Sequence, residues 1–274
     1  LRDFSASKAR QNKELEDFAV FRKTVKCSRR KRDSVPGRPS THAYQGAQPP
    51  RSHTARVVEQ LGLDIVSGRQ AEGSLLPGDA ELIERHGVSR TVLREALKTL
   101  SAKGLVQAKA RIGTRVRGRG DWNLFDPDVL IWHARIGFAP DFLDHLGEMR
   151  MALEPEAAAL AAGRATPGQI RDIRDWVERM GAASPQDFVH FDLGFHLAVA
   201  AAAGNPFFLS ISTLIEVALV AMLTVSSPAD NPQRLLVSVA KHRAIADAIA
   251  ERDADRARAA MRAVIRDGID NARR

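Results

Sequence analysis

Ser89, Arg90, Thr91 and Arg94 cluster at the start of a stretch in which Val92, Leu93, Ala96, Leu97 and Leu100 recur at helical spacing. The apolar set predicts a face toward a small core, with Ser89 placed to cap the first turn. Arg90, Thr91 and Arg94 then project from the other side, where a helix-turn-helix presents side chains to base edges and phosphates. A second group lies far downstream. Asp192 and His196 are four residues apart, so one helical face carries a carboxylate and an imidazole, and His242 would come from a separate helix. A hard carboxylate with two imidazoles suits a divalent ion such as zinc, nickel or manganese, leaving positions for water or a ligand oxygen. On spacing alone, such a pair is more often an ordinary Asp192–His196 hydrogen bond. Arg150 is the candidate for binding an anion, because a guanidinium pairs bidentately with a carboxylate and keeps its charge when buried. The alternative is an exposed helix arginine paired with Glu154 at i,i+4. Trp176, Asn205 and Thr224 are further candidate lining groups.

The elements that must hold these residues follow from the surrounding pattern. A helix over Asp79–His86 joins the Ser89 helix through Gly87, and a two-strand wing follows: Leu105–Lys109, a turn containing Gly113, then Thr114–Arg117. An amphipathic helix beginning at Ser52 places Val57, Val58, Leu61 and Ile65 on one face and ends near Gly68. After a linker over 118–127, everything reads as helical and strand-free, with helices near 128–136, 141–164, 167–180, 185–203, 207–226, 232–251 and 254–272. The predicted fold is mainly α. A winged helix-turn-helix over 52–117 is followed by an all-α helical bundle over 128–274, whose alanine-rich runs permit close packing. Residues 1–51, with a short helix near Glu14–Lys26 and then basic and proline-rich runs, read as a basic, disordered arm.

Charge divides along the same lines. The net +8 is made of 14 Lys and Arg against 5 Asp and Glu in residues 1–56, 11 against 7 in 57–120, and 16 against 21 in 121–274. The basic excess therefore sits at the end expected to meet phosphates. A single cysteine, Cys27, excludes an intramolecular disulfide framework and fits a reducing cytoplasm. The apolar run Val217–Val225 is far shorter than the roughly 20 residues needed to span a membrane.

Residues 54–117 resemble the winged helix-turn-helix of the GntR family of bacterial regulators. The resemblance rests on Val88-Ser89-Arg90, Leu93-Arg94-Glu95-Ala96-Leu97, Gly104-Leu105 and Gly113 with Val116. It implies contacts to double-stranded operator DNA by Ser89, Arg90, Thr91, Arg94 and the wing around Arg111 and Gly113. Many relatives carry an arginine where this chain has Ala80, which removes one expected contact. The second half resembles the FCD domain of the FadR-type branch. Here the match lies in Arg150 to Glu154, Asp192 to His196 leading to Gly204-Asn205-Pro206, and Lys241-His242-Arg243. The stretch from Asp121 to Trp132 is similar to galactonate-responsive and other sugar-acid members. Together these imply a homodimeric repressor controlled by a small carboxylate effector. A sugar acid would be clamped by Arg150, with Asn205 nearby, and a metal held by Asp192, His196 and His242. Metal-binding relatives usually supply a further histidine, and Val264 stands at that position. Two rival readings are a metal-dependent hydrolase using the same three ligands, and a DNA-binding protein without an effector. The sequence offers the hydrolase no convincing nucleophile, general base or phosphate loop.

Overall fold

The helix starts are where this sequence is most explicit. In the computed structural model, which describes residues 52–137, 140–225, 227–228 and 231–272, hydroxyl or amide side chains close several first turns. The Ser52 hydroxyl accepts from Ala55 N, Thr166 and Gln169 form a reciprocal capping box, and Asn231 accepts from the amides of both Gln233 and Arg234. Proline opens the helices that begin at 127, 140, 167, 185, 206 and 232, where its fixed φ suits the first turn and no amide donor is missed. The arm expected over residues 1–51, with Cys27, lies outside the described residues.

The chain divides into two compact units, one running to Ile136 and the other beginning at Gly137. The first contains α1 (His53–Val66), α2 (Asp79–His86), α3 (Arg90–Ala102), β1 (Val106–Lys109), β2 (Gly113–Val116) and α4 (Pro127–Ile136). Gly87, at φ +60°, ends α2 in the left-handed conformation that lets the chain turn sharply into α3. The two strands pair antiparallel with Val106 opposite Val116 and Lys109 opposite Gly113, which forms the expected wing. Leu61, Ile65, Leu82, Leu93, Leu100 and Leu105 are fully buried in one core, each contributing about 1.5–3 kcal/mol by leaving water.

The segment expected to be a plain linker is part of this core. The Trp122 indole donates to Arg117 O at 3.1 Å, Asn123 N donates to Lys103 O at 2.9 Å, and Asp126 accepts from the first amides of α4. Lys103 Nζ lies 2.7 Å from Asp126 and 2.9 Å from Asp128. Trp132 lies so close to α1 that a Cβ on Gly62 would fall 2.5 Å from its ring. By packing, then, α4 belongs with the winged unit rather than opening the second domain at residue 128. Two tryptophans in a short segment were the signal for burial, and a polar-looking Asp-rich stretch concealed it.

The second unit is all helical among its described residues: α5 (Pro140–Arg164), α6 (Pro167–Gly181), α7 (Pro185–Ala202), α8 (Pro206–Ser210), α9 (Ser212–Val225), α10 (Pro232–Ala250) and α11 (Ala254–Ala272). Small residues on α5 (Ala158, Ala161, Ala162) pack against large ones from its neighbours (Phe188, Phe195, Met261). The helix expected over 207–226 is two helices, because the chain breaks at Ile211, whose carbonyl accepts from Leu214 N.

Gly104 is the tightest point in the first unit: it has φ +79°, and a Cβ there would lie 2.2 Å from the Asp121 carbonyl oxygen. Gly104→Ala is expected to destabilise this unit by about 2–3 kcal/mol, from left-handed strain and backbone overlap combined. Urea unfolding of the full chain measures it; an unchanged midpoint would mean that the 118–126 segment does not need this close approach.

Candidate functional site

In the first unit, the side chains expected to contact DNA lie on the exposed side of α3 and at the wing tip. The Ser89 hydroxyl accepts from Val92 N at 3.3 Å, so it caps the helix that carries the others. Arg90, Thr91 and Arg94 are exposed, opposite the buried Leu93, Ala96 and Leu100. Among the described residues no salt bridge engages Arg90, Arg94 or Arg111, whereas Glu95 is held by Lys98 at 3.0 Å. At the wing tip Arg111 has φ +63° and Gly113 φ +116°, which turns the hairpin tightly and leaves both exposed. Ala80 is exposed near the start of α2 and adds no charge to this face.

The second unit holds a cavity of about 380 Å³, lined by Arg150 of α5, Asp192 and His196 of α7, His242 of α10 and Val264 of α11. All four polar residues are at most 3 % exposed, which is unusual for ionisable groups and demands partners. Asp192, His196 and His242 bring one ligand atom each within 4.8 Å of one another. Their second contacts set the tautomers. His242 Nδ1 lies 2.8 Å from Ser238 O, and a carbonyl only accepts, so this nitrogen donates and the neutral ring carries its lone pair on Nε2. That Nε2 is 3.1 Å from Asp192 Oδ1. His196 Nδ1 is 2.5 Å from Glu154 Oε2, a separation that requires a proton between the two atoms even though the approach is bent. Its Nε2 faces Asp192 Oδ2 at 3.9 Å.

Both imidazoles therefore turn lone pairs toward a carboxylate, and Asp192 Oδ2, His196 Nε2 and His242 Nε2 all lack a hydrogen-bond partner in the protein. Buried acceptors that converge in this way are complementary to a cation. His242 also donates its other nitrogen to a backbone carbonyl, and His196 sets its own against the Glu154 carboxylate, the kind of outer support that metal-ligating histidines characteristically have. The residues present thus fit a divalent ion. The open Asp192–His196 alternative takes a specific form: at 3.9 Å the two are not hydrogen-bonded directly, and Asp192 approaches His242 more closely.

Arg150 is paired with Glu154, as the simpler reading of its spacing anticipated, yet it is buried rather than exposed, with Nε 2.5 Å from Glu154 Oε1. Spacing alone makes Glu154 a surface partner of Arg150; the apolar residues on several sides of this helix are the signal for its burial. Burial opposes ionisation of Glu154, but the Arg150 guanidinium and His196 outweigh it and hold the carboxyl at about 2.

Two expected lining groups fall elsewhere. Asn205 does not line the cavity: its Oδ1 accepts from Phe207 N at 3.0 Å and starts α8. Trp176 packs on Gly194, with the Arg179 guanidinium 4.9 Å above its ring. The Thr224 side chain lies outside the described residues. The sequence reading did not anticipate the polar mouth, where Gln233, Ser238, Lys241, Asp267, Asp270 and Asn271 join the apolar Leu219, Leu223 and Val237.

Residues 53–116 match the family described as bacterial regulatory proteins, gntR family, and residues 145–267 match the FCD domain. The chain is 34 % identical over 218 residues to the galactonate operon transcriptional repressor of Escherichia coli, spanning 77 % of this chain and 93 % of that one. It is 35 % identical over 214 residues to the E. coli HTH-type transcriptional regulator YieP, spanning 77 % and 91 %. Over 224 residues it is 32 % identical to the HTH-type transcriptional repressor NanR of Cronobacter sakazakii, spanning 77 % and 82 %. The same fold occurs in Lar, which controls expression of the Listeria monocytogenes agr system, at TM-score 0.53 and 18 % identity over 82 % of this chain and 99 % of that one. These relatives are transcription regulators, not enzymes.

Because Glu154 is held below its unfolded value near 4.5, its contribution to stability is fully present above that pH and is lost as pH falls toward about 2. The melting temperature of chelator-treated protein is expected to drop across this window, and Glu154→Gln to flatten the drop. Parallel curves for the two proteins would show that Glu154 is not ionised against Arg150 and His196.

Proposed function

The chain belongs to the GntR family of bacterial regulatory proteins and carries an FCD domain, and from that premise we propose that it is a repressor released from its operator by a small carboxylate effector. A sugar acid such as galactonate is the favoured class. The observation that carries this reading is the cavity in the FCD domain, where one guanidinium and a cation-seeking Asp–His–His cluster line the same 380 Å³ space. Its volume is that of a small-molecule site. Arg150 would take the effector carboxylate, and the amide and carboxylate groups at the mouth would take its hydroxyls. The identity to the galactonate operon repressor supports the choice of acid.

Asp192, His196 and His242 would hold a divalent ion, of which zinc, nickel and manganese suit the donor set. When bound, the ion supplies a positive centre for effector oxygens. Val264 offers no further ligand, so the three side chains carry the site and leave more of its positions to water or effector. In the other unit, Arg90, Thr91 and Arg94 would enter the major groove from α3, with Ser89 and the wing residues Arg111 and Gly113 at the adjoining backbone. A homodimer would set two such helices about one DNA turn apart on a near-palindromic operator. Effector binding then favours an arrangement whose spacing does not fit the half-sites, and operator binding weakens effector binding by the same factor.

The deciding experiment is fluorescence anisotropy on the protein's own upstream promoter at fixed salt, with and without galactonate and related acids. Selective binding released by one acid is expected. Selective binding that no acid disturbs would discard the effector reading, and Arg150→Ala that retains DNA binding while losing release would confirm it. Arg94→Ala is expected to weaken operator binding by about 1–3 kcal/mol if the guanidinium reads a base. The same anisotropy titration tests this, and an unchanged affinity removes Arg94 from the recognition set.

A further inference from the structure

Glu154 is not one of the three groups that converge on the candidate ion, yet its side chain touches both halves of the pocket chemistry. Its Oε1 lies 2.5 Å from Arg150 Nε, and its Oε2 lies 2.5 Å from His196 Nδ1. The carboxylate is 3 % exposed, so neither contact is much weakened by water. It therefore stands between the residue that would take an anion and a residue that would take a cation. We propose that Glu154 is the positioning residue that couples the two, so that anion at Arg150 and divalent ion at Asp192, His196 and His242 tighten each other. The inference rests on reading those three residues as metal ligands.

Two demands fall on one carboxylate. Toward His196 it lies 2.5 Å from Nδ1, which favours the tautomer with its proton there and Nε2 facing Asp192, and makes the ring a better donor. Such outer partners typically change metal affinity by about 10–100-fold. Toward Arg150 its charge is cancelled, and whatever is drawn to the guanidinium is withdrawn from the imidazole. The guanidinium also repels a divalent ion across a buried space where screening is slight. An anion docked on Arg150 relieves both effects at once: it neutralises the guanidinium and leaves Glu154 to His196. Metal affinity then rises, and by reciprocity the metal raises anion affinity by the same factor. With Val264 providing no additional imidazole, the ion depends the more heavily on how well His196 is supported.

The coupling predicts substitutions of opposite sign, which a purely structural ion pair does not. Zinc alone is titrated calorimetrically into chelator-treated full-length protein, with circular dichroism confirming the fold of each variant. Glu154→Gln is expected to weaken zinc binding by about 10–100-fold. Arg150→Gln, which removes the charge that a bound anion would neutralise, is expected to strengthen it several-fold. If both substitutions weaken zinc binding, Glu154 and Arg150 merely brace the bundle and the coupling is wrong. If Glu154→Gln binds zinc like the unaltered protein, the proposal falls while the ligand assignment stands. If the unaltered protein takes up no zinc, the assignment of Asp192, His196 and His242 fails, and this inference with it. Should Glu154→Gln not fold, the sign of the Arg150→Gln effect still decides.

Discussion

A line of buried charge through the helical bundle is the constraint on which the second unit depends. Arg150, Glu154, His196, Asp192 and His242 follow one another from α5 across α7 to α10, each within 4 Å of the next. Taking such groups out of water costs several kcal/mol per ion unless each meets a counter-charge or a hydrogen bond. The Arg150 guanidinium meets the Glu154 carboxylate, and Asp192 lies between the two imidazoles. Asp192 Oδ2 and both Nε2 atoms are left without a partner in the protein, at the wall of a cavity. A bundle that needed only to pack would fill this space with apolar side chains, as it does around Phe188 and Phe195.

Much of the fold was legible in the sequence because its helix boundaries are chemically marked. Serine, threonine and asparagine caps with proline at the first turn fixed the starts of most elements, and the left-handed Gly87 fixed the turn into α3. Two features were not legible. The break at Ile211 lies within the cluster Ser210-Ile211-Ser212-Thr213, whose hydroxyl residues are a weak helix-start signal that the long apolar run after it outweighed. The 118–126 segment looked like a linker because many of its residues are polar, yet Asp121 pairs with Arg117 and Asp126 holds Lys103 and the first amides of α4.

For the site, the four-residue interval put Asp192 and His196 on one helical face, and it was the family resemblance, not spacing, that joined His242 of α10 to them. Spacing did not reveal burial, and burial is what turns Arg150 and Glu154 from an ordinary surface pair into part of the pocket. Asn205 shows the converse error: a polar residue just before a helix-starting proline was offered to the ligand, although its position marks it as a cap.

The anchoring of α4 changes where this protein can be cut and rejoined. Trp122 and Trp132 complete the core of the winged unit, and Trp132 lies against α1 at Gly62. A fragment ending with the wing at 117 would strip both indoles and leave the apolar surface of α1 bare, inviting aggregation. The natural exchangeable module runs from Ser52 through Ile136. Chimaeras that graft a different sensor onto this reader, or this sensor onto another reader, should place their junction after that residue. Exchange of domains between such regulators during evolution would meet the same boundary.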